Sequence, residues 1–124
     1  MKSEVHKAAA EEYFRIAEEA DKRHTAEKEE AKKTAFMVVA AQNYFYAAVN
    51  CIEAVFASKL KVHSFSHDDR MRKIIENRAL FSKEMTELYD LVDRDQRNKV
   101  TYRGENGKKY ESIKKLENLM INAP

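Results

Sequence analysis

The chain has 124 residues, 44% hydrophobic and 35% charged, with two glycines, one proline and one cysteine. So few turn-makers exclude a sheet protein, and the length suits one all-α domain, residues 1–124, that can bury a core without disulfides or metal. A net charge of +2 excludes a general polycation, so any hold on nucleic acid has to come from local clustering.

Met1 to Glu4 bring charge at once and lack the apolar segment of a secretory signal. Together with a single cysteine, Cys51, this fits a reducing, cytoplasmic setting. The first helix is expected over Glu4–Arg23, with Val5, Ala9, Tyr13, Ile16 and Ala20 as its apolar stripe. Lys22, Arg23 and His24 gather where cations favour a helix C-terminus. Thr25, followed by acidic residues, reads as the N-cap of the next helix.

That second helix should run from Ala26 to Lys59, about 50 Å at 1.5 Å per residue. Its later half is apolar nearly all round, from Phe36 to Phe56. Thr34–Ile52 holds no charged residue and approaches the length of a bilayer span. Gln42, Asn43, Asn50 and the interspersed alanines fit the central helix of a soluble bundle better, or a helix shared with a second subunit, with no membrane partner. Cys51 sits in that run as an inert, buried thiol.

Lys61–Ser66 reads as a loop, with Ser66 or Asp68 capping a third helix that carries Met71, Ile74, Ile75 and Leu80. A fourth helix starts near Ser82, with Met85, Leu88, Tyr89, Val92 and Gln96 as its stripe. Gly104–Gly107 separates it from a last helix bearing Tyr110, Ile113, Leu116, Leu119 and Met120. The architecture expected is an up-and-down bundle of four to five helices.

Several chemistries lack their residues. No Glu-x-x-His pair supplies a di-iron ligand set. His63 and His67 are four apart but have no third ligand in register, so capping or packing is expected of them, and neither metal nor cofactor is. His6 and His24 lie among charged residues and read as solvent histidines. Gly104 to Gly107 follows a helix and lacks the Lys-Ser/Thr ending of a phosphate loop. No serine has a histidine neighbour that would suggest a nucleophile–base pair.

Arg97-Asn98-Lys99-Val100-Thr101-Tyr102 stands apart as a polar group in an apolar-plus-charged bundle. An arginine fork can hold a phosphate through two parallel hydrogen bonds. Asn98 and Tyr102 are four apart and share a helix face, with Arg97 about 100 degrees round from Asn98. From Arg97 to Lys115 there are seven cations (Arg97, Lys99, Arg103, Lys108, Lys109, Lys114 and Lys115) against Glu105 and Glu111. They read either as a phosphate-binding surface or as a solvated helix end. The structural alternative for the motif itself is that Arg97 pairs with Asp93 while Tyr102 packs.

On these residues the chain resembles the HEPN superfamily, small helical bundles named for nucleotide binding in prokaryotes and higher eukaryotes. The run Asn43-Tyr44-Phe45-Tyr46-Ala47-Ala48-Val49-Asn50-Cys51-Ile52-Glu53-Ala54 looks like the family's central helix. Arg97-Asn98-Lys99-Val100-Thr101-Tyr102 falls where the family places an arginine, four to six residues and a histidine. The resemblance implies metal-independent RNA cleavage at a site assembled across a homodimer, with the arginine on the scissile phosphate and the histidine moving protons. It also implies association with a small nucleotidyltransferase in a toxin–antitoxin-type pair. Tyr102 stands in place of the histidine, and a phenol with an ordinary pKa near 10 is a poor base at neutral pH. The resemblance thus implies catalytic or relic roles for Arg97, Asn98 and Tyr102, RNA or phosphate binding by Arg97, Lys99, Arg103, Lys108 and Lys109, and ribonuclease activity that is weak or lost. The alternative function is a non-catalytic oligomeric interaction module in which the Arg97 motif is structural.

Overall fold

The computed structural model describes residues 2–121, apart from the side chains of Gln96 and Ile121. The protein is all-α, and no strand occurs among the described residues. Helices α1 (Ser3–Ala26) and α2 (Glu30–Val55) form a long hairpin, and α2 continues through a π-turn, Phe56–Leu60. Lys61, at φ 58, ends that rod in the left-handed region. After the loop come α3 (His67–Glu76), a 3-10 turn at Arg78–Leu80, and α4 (Lys83–Leu91). A second π-turn, Val92–Gln96, carries α4 directly into α5 (Arg97–Arg103), and α6 (Lys108–Ile121) closes the fold.

Long-range contacts set the topology. Ser3 donates to the Ala54 carbonyl at 3.0 Å and His24 Nδ1 meets the Lys33 carbonyl at 2.8 Å, so α1 and α2 are antiparallel. Asp21 of α1 takes Tyr110 and Lys114 of α6, while Lys115 of α6 reaches Glu84 of α4 at 3.0 Å. At Gly104 (φ 66) an added Cβ would lie 3.0 Å from Thr34 Cγ2, which puts the end of α5 against the start of α2. The rods α1, α2, α4–α5 and α6 therefore run up, down, up and down, with α3 in the connection between the second and third.

The capping signals place most boundaries as expected. Ser66 Oγ accepts from the Asp69 amide at 3.0 Å and Ser82 Oγ from the Met85 amide at 3.1 Å. Gly104 closes α5, its amide bonded to Val100 O and that of Glu105 to Lys99 O, a pairing that needs the positive φ glycine allows. The first break falls later than expected. Thr25 stays inside α1 and donates to Asp21 O, while Glu27 Oε1 accepts the amides of Lys28 and Glu29 to make the turn. The second helix thus begins at Glu30, not Ala26.

The α1 stripe also differs. Val5 and Ile16 are exposed, and the buried positions are His6, Ala10, Ala17 and Ala20. Small side chains explain the change, because Ala40, Ala41, Ala47 and Ala48 of α2 are fully buried and alanine against alanine lets two helices approach closely. On α3, Ile74 enters the core but Ile75 does not. On α4 and its π-turn the buried residues are Met85, Tyr89 and Val92, and the expected role of the Gln96 side chain lies outside the described residues. Tyr110, Ile113, Leu116 and Met120 of α6 are buried as expected. By length and composition the run Glu30–Leu60 could cross a membrane, yet ten residues of α2 are buried against the other helices.

The histidines correct the expectation of solvent exposure. His6 is buried, its Nδ1 3.0 Å from Asn50 Oδ1 and its ring 5.4 Å from that of His63. His24 is half-buried between Lys33 O and the edge of Tyr110. Their partners lie on other elements, so charged sequence neighbours do not reveal them.

Candidate functional site

Phe45 of α2 is buried and organises the most polar part of the interior. The Tyr89 ring lies nearly parallel to it at 6.3 Å and the His67 ring stacks at 6.4 Å. The guanidinium carbon of Arg97 sits 4.7 Å from the same ring centroid, a cation–π arrangement. One aromatic ring thus gathers side chains from α3, α4 and α5.

The π-turn sets this register. The Arg97 amide bonds to Val92 O, five residues back, so α5 is displaced by one residue relative to a continued α-helix. With that shift Asp93 reaches α3 and Arg97 lies over Phe45. The expected Arg97–Asp93 pair does not form, because Asp93 Oδ1 is 2.8 Å from His67 Nδ1 instead. Arg97 Nε is shut off from solvent with no hydrogen-bond partner, and no ion pair to Arg97 occurs among the described residues.

A hydrogen-bonded network lies behind the pair. Arg70 Nε donates to Glu53 Oε2 at 2.9 Å and its Nη1 to the Tyr89 hydroxyl at 3.2 Å. The Ser64 amide donates to the other Glu53 oxygen at 3.1 Å. Burial alone would raise the Glu53 carboxyl, but hydrogen bonds from Ser64 and Arg70 outweigh it and hold the group below its ordinary value. Burial pushes the Tyr89 phenol up to about 12, so it stays un-ionised. Arg70 Nη1 also lies 3.5 Å from His67 Nδ1, and an arginine has only donors. The Asp93 carboxylate, at 2.8 Å, can only accept, so the closer contact assigns the Nδ1 proton of the neutral ring to it and the lone pair to Nε2, and the 3.5 Å approach of Arg70 is not a hydrogen bond in that tautomer. The His67 side chain is 57% exposed and that of Asp93 only 10%, so a buried acid orients an accessible imidazole.

The other residues singled out in sequence lie around this centre. Asn98, Tyr102, Arg103 and Lys108 are on the outside, with Tyr102 77% exposed. Arg97 turns inward and Tyr102 outward, so a single chain does not bring them together. Much of the cationic surplus is already matched: Lys99 pairs with Asp95, Lys109 with Glu105, Lys114 with Asp21 and Lys115 with Glu84. The Lys109 hydrogen bond holds the Glu105 carboxyl below its ordinary value. Elsewhere, a cavity of about 370 Å³ has Cys51, Phe81, Met85 and Met120 in its lining together with Lys7, Glu11 and Lys59, and touches none of the groups around Phe45. Burial pushes the Cys51 thiol there up to about 12, so it remains a thiol and not a nucleophile.

The contact between His67 and Asp93 is what sequence reasoning missed, since it reads His67 as a capping or packing residue and Asp93 as a partner of Arg97. Their contact spans 26 positions and depends on a π-turn that composition does not announce. The one local signal is a histidine at the first position of a serine-capped helix. Comparisons with known protein families, with curated proteins and with solved structures give no match to this chain.

Proposed function

We propose that the protein is a cytoplasmic, homodimeric HEPN-like bundle that binds RNA or a nucleotide-bearing partner through Arg97. The observation that carries this reading is a partly buried guanidinium that faces an aromatic ring and, among the described residues, meets no carboxylate. Arginine cannot discharge by losing its proton, so an external anion is the natural complement of such a group. Asn98 and Tyr102 on the adjoining surface can donate hydrogen bonds or stack on a base, and Lys99, Arg103, Lys108 and Lys109 add positive potential. A small nucleotidyltransferase, in a toxin–antitoxin-type pair, is the protein partner we assign to it. Cleavage by the family's own arginine–histidine pair is weak or lost, since Tyr102 replaces the histidine.

The test is an RNA mobility shift without metal for wild type and Arg97→Ala. Loss of a charged hydrogen-bonding fork, about 1.5–3 kcal/mol, should weaken binding roughly 10- to 100-fold. Unchanged affinity would remove the basis of the reading. A second reading, an oligomeric interaction module, is favoured by the apolar exposure of Val39 and Tyr46 on α2. It expects no RNA shift at any salt, and a change in assembly or stability on Arg97→Ala.

A further inference from the structure

We propose that the cavity between the start of α1 and the end of α2 binds a medium-chain fatty carboxylate. Its hydrocarbon chain lies among Cys51, Phe81, Met85 and Met120, and its carboxylate is held at the rim by Lys7 and Lys59. Neither Arg97 nor the groups around Phe45 take part.

The walls are those of a site for a hydrocarbon. Cys51, Ala54, Val55, Ser58 and Lys59 follow the spacing of one helix face, which passes from apolar wall to polar rim along α2 and its π-turn. Lys7, Ala10 and Glu11 form the matching face of α1. Phe81, Met85 and Met120 are buried and yet border the space, so part of their surface lacks the close neighbours that a packed core supplies. The small side chains of Ala10, Cys51 and Ala54 keep the space open. Burial keeps the Cys51 thiol un-ionised, so it adds to the apolar wall. The two methionines offer thioethers that adapt to a flexible chain.

The rim sets the sign of the head group. Lys7, Glu11, Ser58 and Lys59 are all exposed, which puts two ammonium groups against one carboxylate at the edge of an apolar space. No ion pair to Lys7 or Lys59 occurs among the described residues, whereas Lys73, Lys99, Lys109, Lys114 and Lys115 each have one. The surplus positive charge is therefore open to a ligand, and it favours an acid over an alcohol or an amine of the same length. Volume sets the chain. An apolar cavity of about 150 Å³ takes up a six-carbon ring. At about 370 Å³ this one accommodates a chain of roughly ten carbons.

Saturated carboxylates from hexanoate to tetradecanoate, with decanol and decylamine, are titrated below their aggregation concentrations into wild type, Lys7→Met/Lys59→Met, Glu11→Gln and Cys51→Phe. Binding is read by calorimetry, and the melting temperature of each protein is recorded. Wild-type affinity should rise roughly fourfold per methylene and level off once the cavity is full, at about ten carbons. The double lysine variant, changed only at exposed positions, should bind decanoate about 3- to 10-fold more weakly and no longer prefer it to decanol. Glu11→Gln should act in the opposite sense and tighten decanoate about twofold. Cys51→Phe, which fills the cavity, should lose binding. A readout that does not depend on that variant folding is alkylation of Cys51, the only thiol in the chain, by N-ethylmaleimide in wild type. Decanoate at ten times its Kd should slow that reaction about tenfold. No decanoate binding by wild type, equal affinity for acid and alcohol, or alkylation unchanged by bound decanoate overturns the proposal. Affinity that still climbs at tetradecanoate marks adsorption to the surface and overturns it too.

Discussion

Glu117 on α6 and Arg97 on α5 both carry buried polar atoms with no hydrogen-bond partner, yet the fold treats them differently. Glu117 is completely buried, and burial, helped by the negative charge of Glu18, pushes its carboxyl up to about 8. At neutral pH it is therefore largely protonated, and the core holds a neutral polar group. Arg97 has no such escape. Its charge persists and is met by the face of Phe45. Nearby Asp21 shows the third solution, full internal pairing. Burial would raise its carboxyl, but the Tyr110 hydroxyl at 2.5 Å and Lys114 at 3.0 Å lower it. A group that can shed its charge, or is given a counterion, belongs to architecture. Arg97 does neither, and the proposed phosphate contact rests on that difference.

The largest effect should come from breaking an internally paired charge, the Glu53–Arg70 pair. Arg70→Met leaves Glu53 buried with only the Ser64 amide and should cost about 3–5 kcal/mol in urea unfolding. The loss should be greater at neutral than at acidic pH. A carboxyl held below its ordinary value contributes stability above the unfolded pKa, and that contribution is lost as pH falls.

Glu117 should behave in the opposite sense. Its raised value means that stability is full below the unfolded carboxyl range, near 4.5, and declines as pH rises through about 8. Glu117→Gln should abolish that decline and make the variant more stable than wild type at pH 9, on the order of 2–4 kcal/mol. Thermal melts from pH 4 to 9 check it, and parallel curves for the two proteins would show that Glu117 is paired.

Gly104→Ala should destabilise by about 1–2 kcal/mol, because the left-handed backbone and the Thr34 methyl at 3.0 Å both oppose a Cβ. Gly107 has nothing within 4 Å of its would-be Cβ, so Gly107→Ala should cost less, through φ alone. The smallest stability effect should be at Arg97 itself. Arg97→Met keeps the packing on Phe45 and removes a charge that has no ionic partner among the described residues, so chemical unfolding should change by less than about 1 kcal/mol in either direction.

Much of the frame was legible in the sequence because its signals are local. Ser66 and Ser82 cap what they were expected to cap, Gly104 ends α5, and Tyr110, Ile113, Leu116 and Met120 bury one face of α6. The misses share a cause in contacts between distant elements. A hydropathy stripe on α1 selects Val5 and Ile16, but close alanine packing against α2 decides which face turns inward. His6 and His24 find their partners on α2 and α6. Arg97 was visible as a candidate from its setting. Its surroundings were not, because a one-residue π-turn shift carries Asp93 to His67. Tyr102, prominent in the motif, lies outside that centre and is exposed.

The central claim, that Arg97 is left unpaired in order to hold a phosphate, is tested most directly by titrating single-stranded RNA into wild type and Arg97→Met in chelator, with the melting temperature of each sample recorded. The account predicts binding by wild type and affinity about 10- to 100-fold weaker in a variant that melts as wild type does. Equal affinities would contradict it, as would an affinity lost only together with the fold.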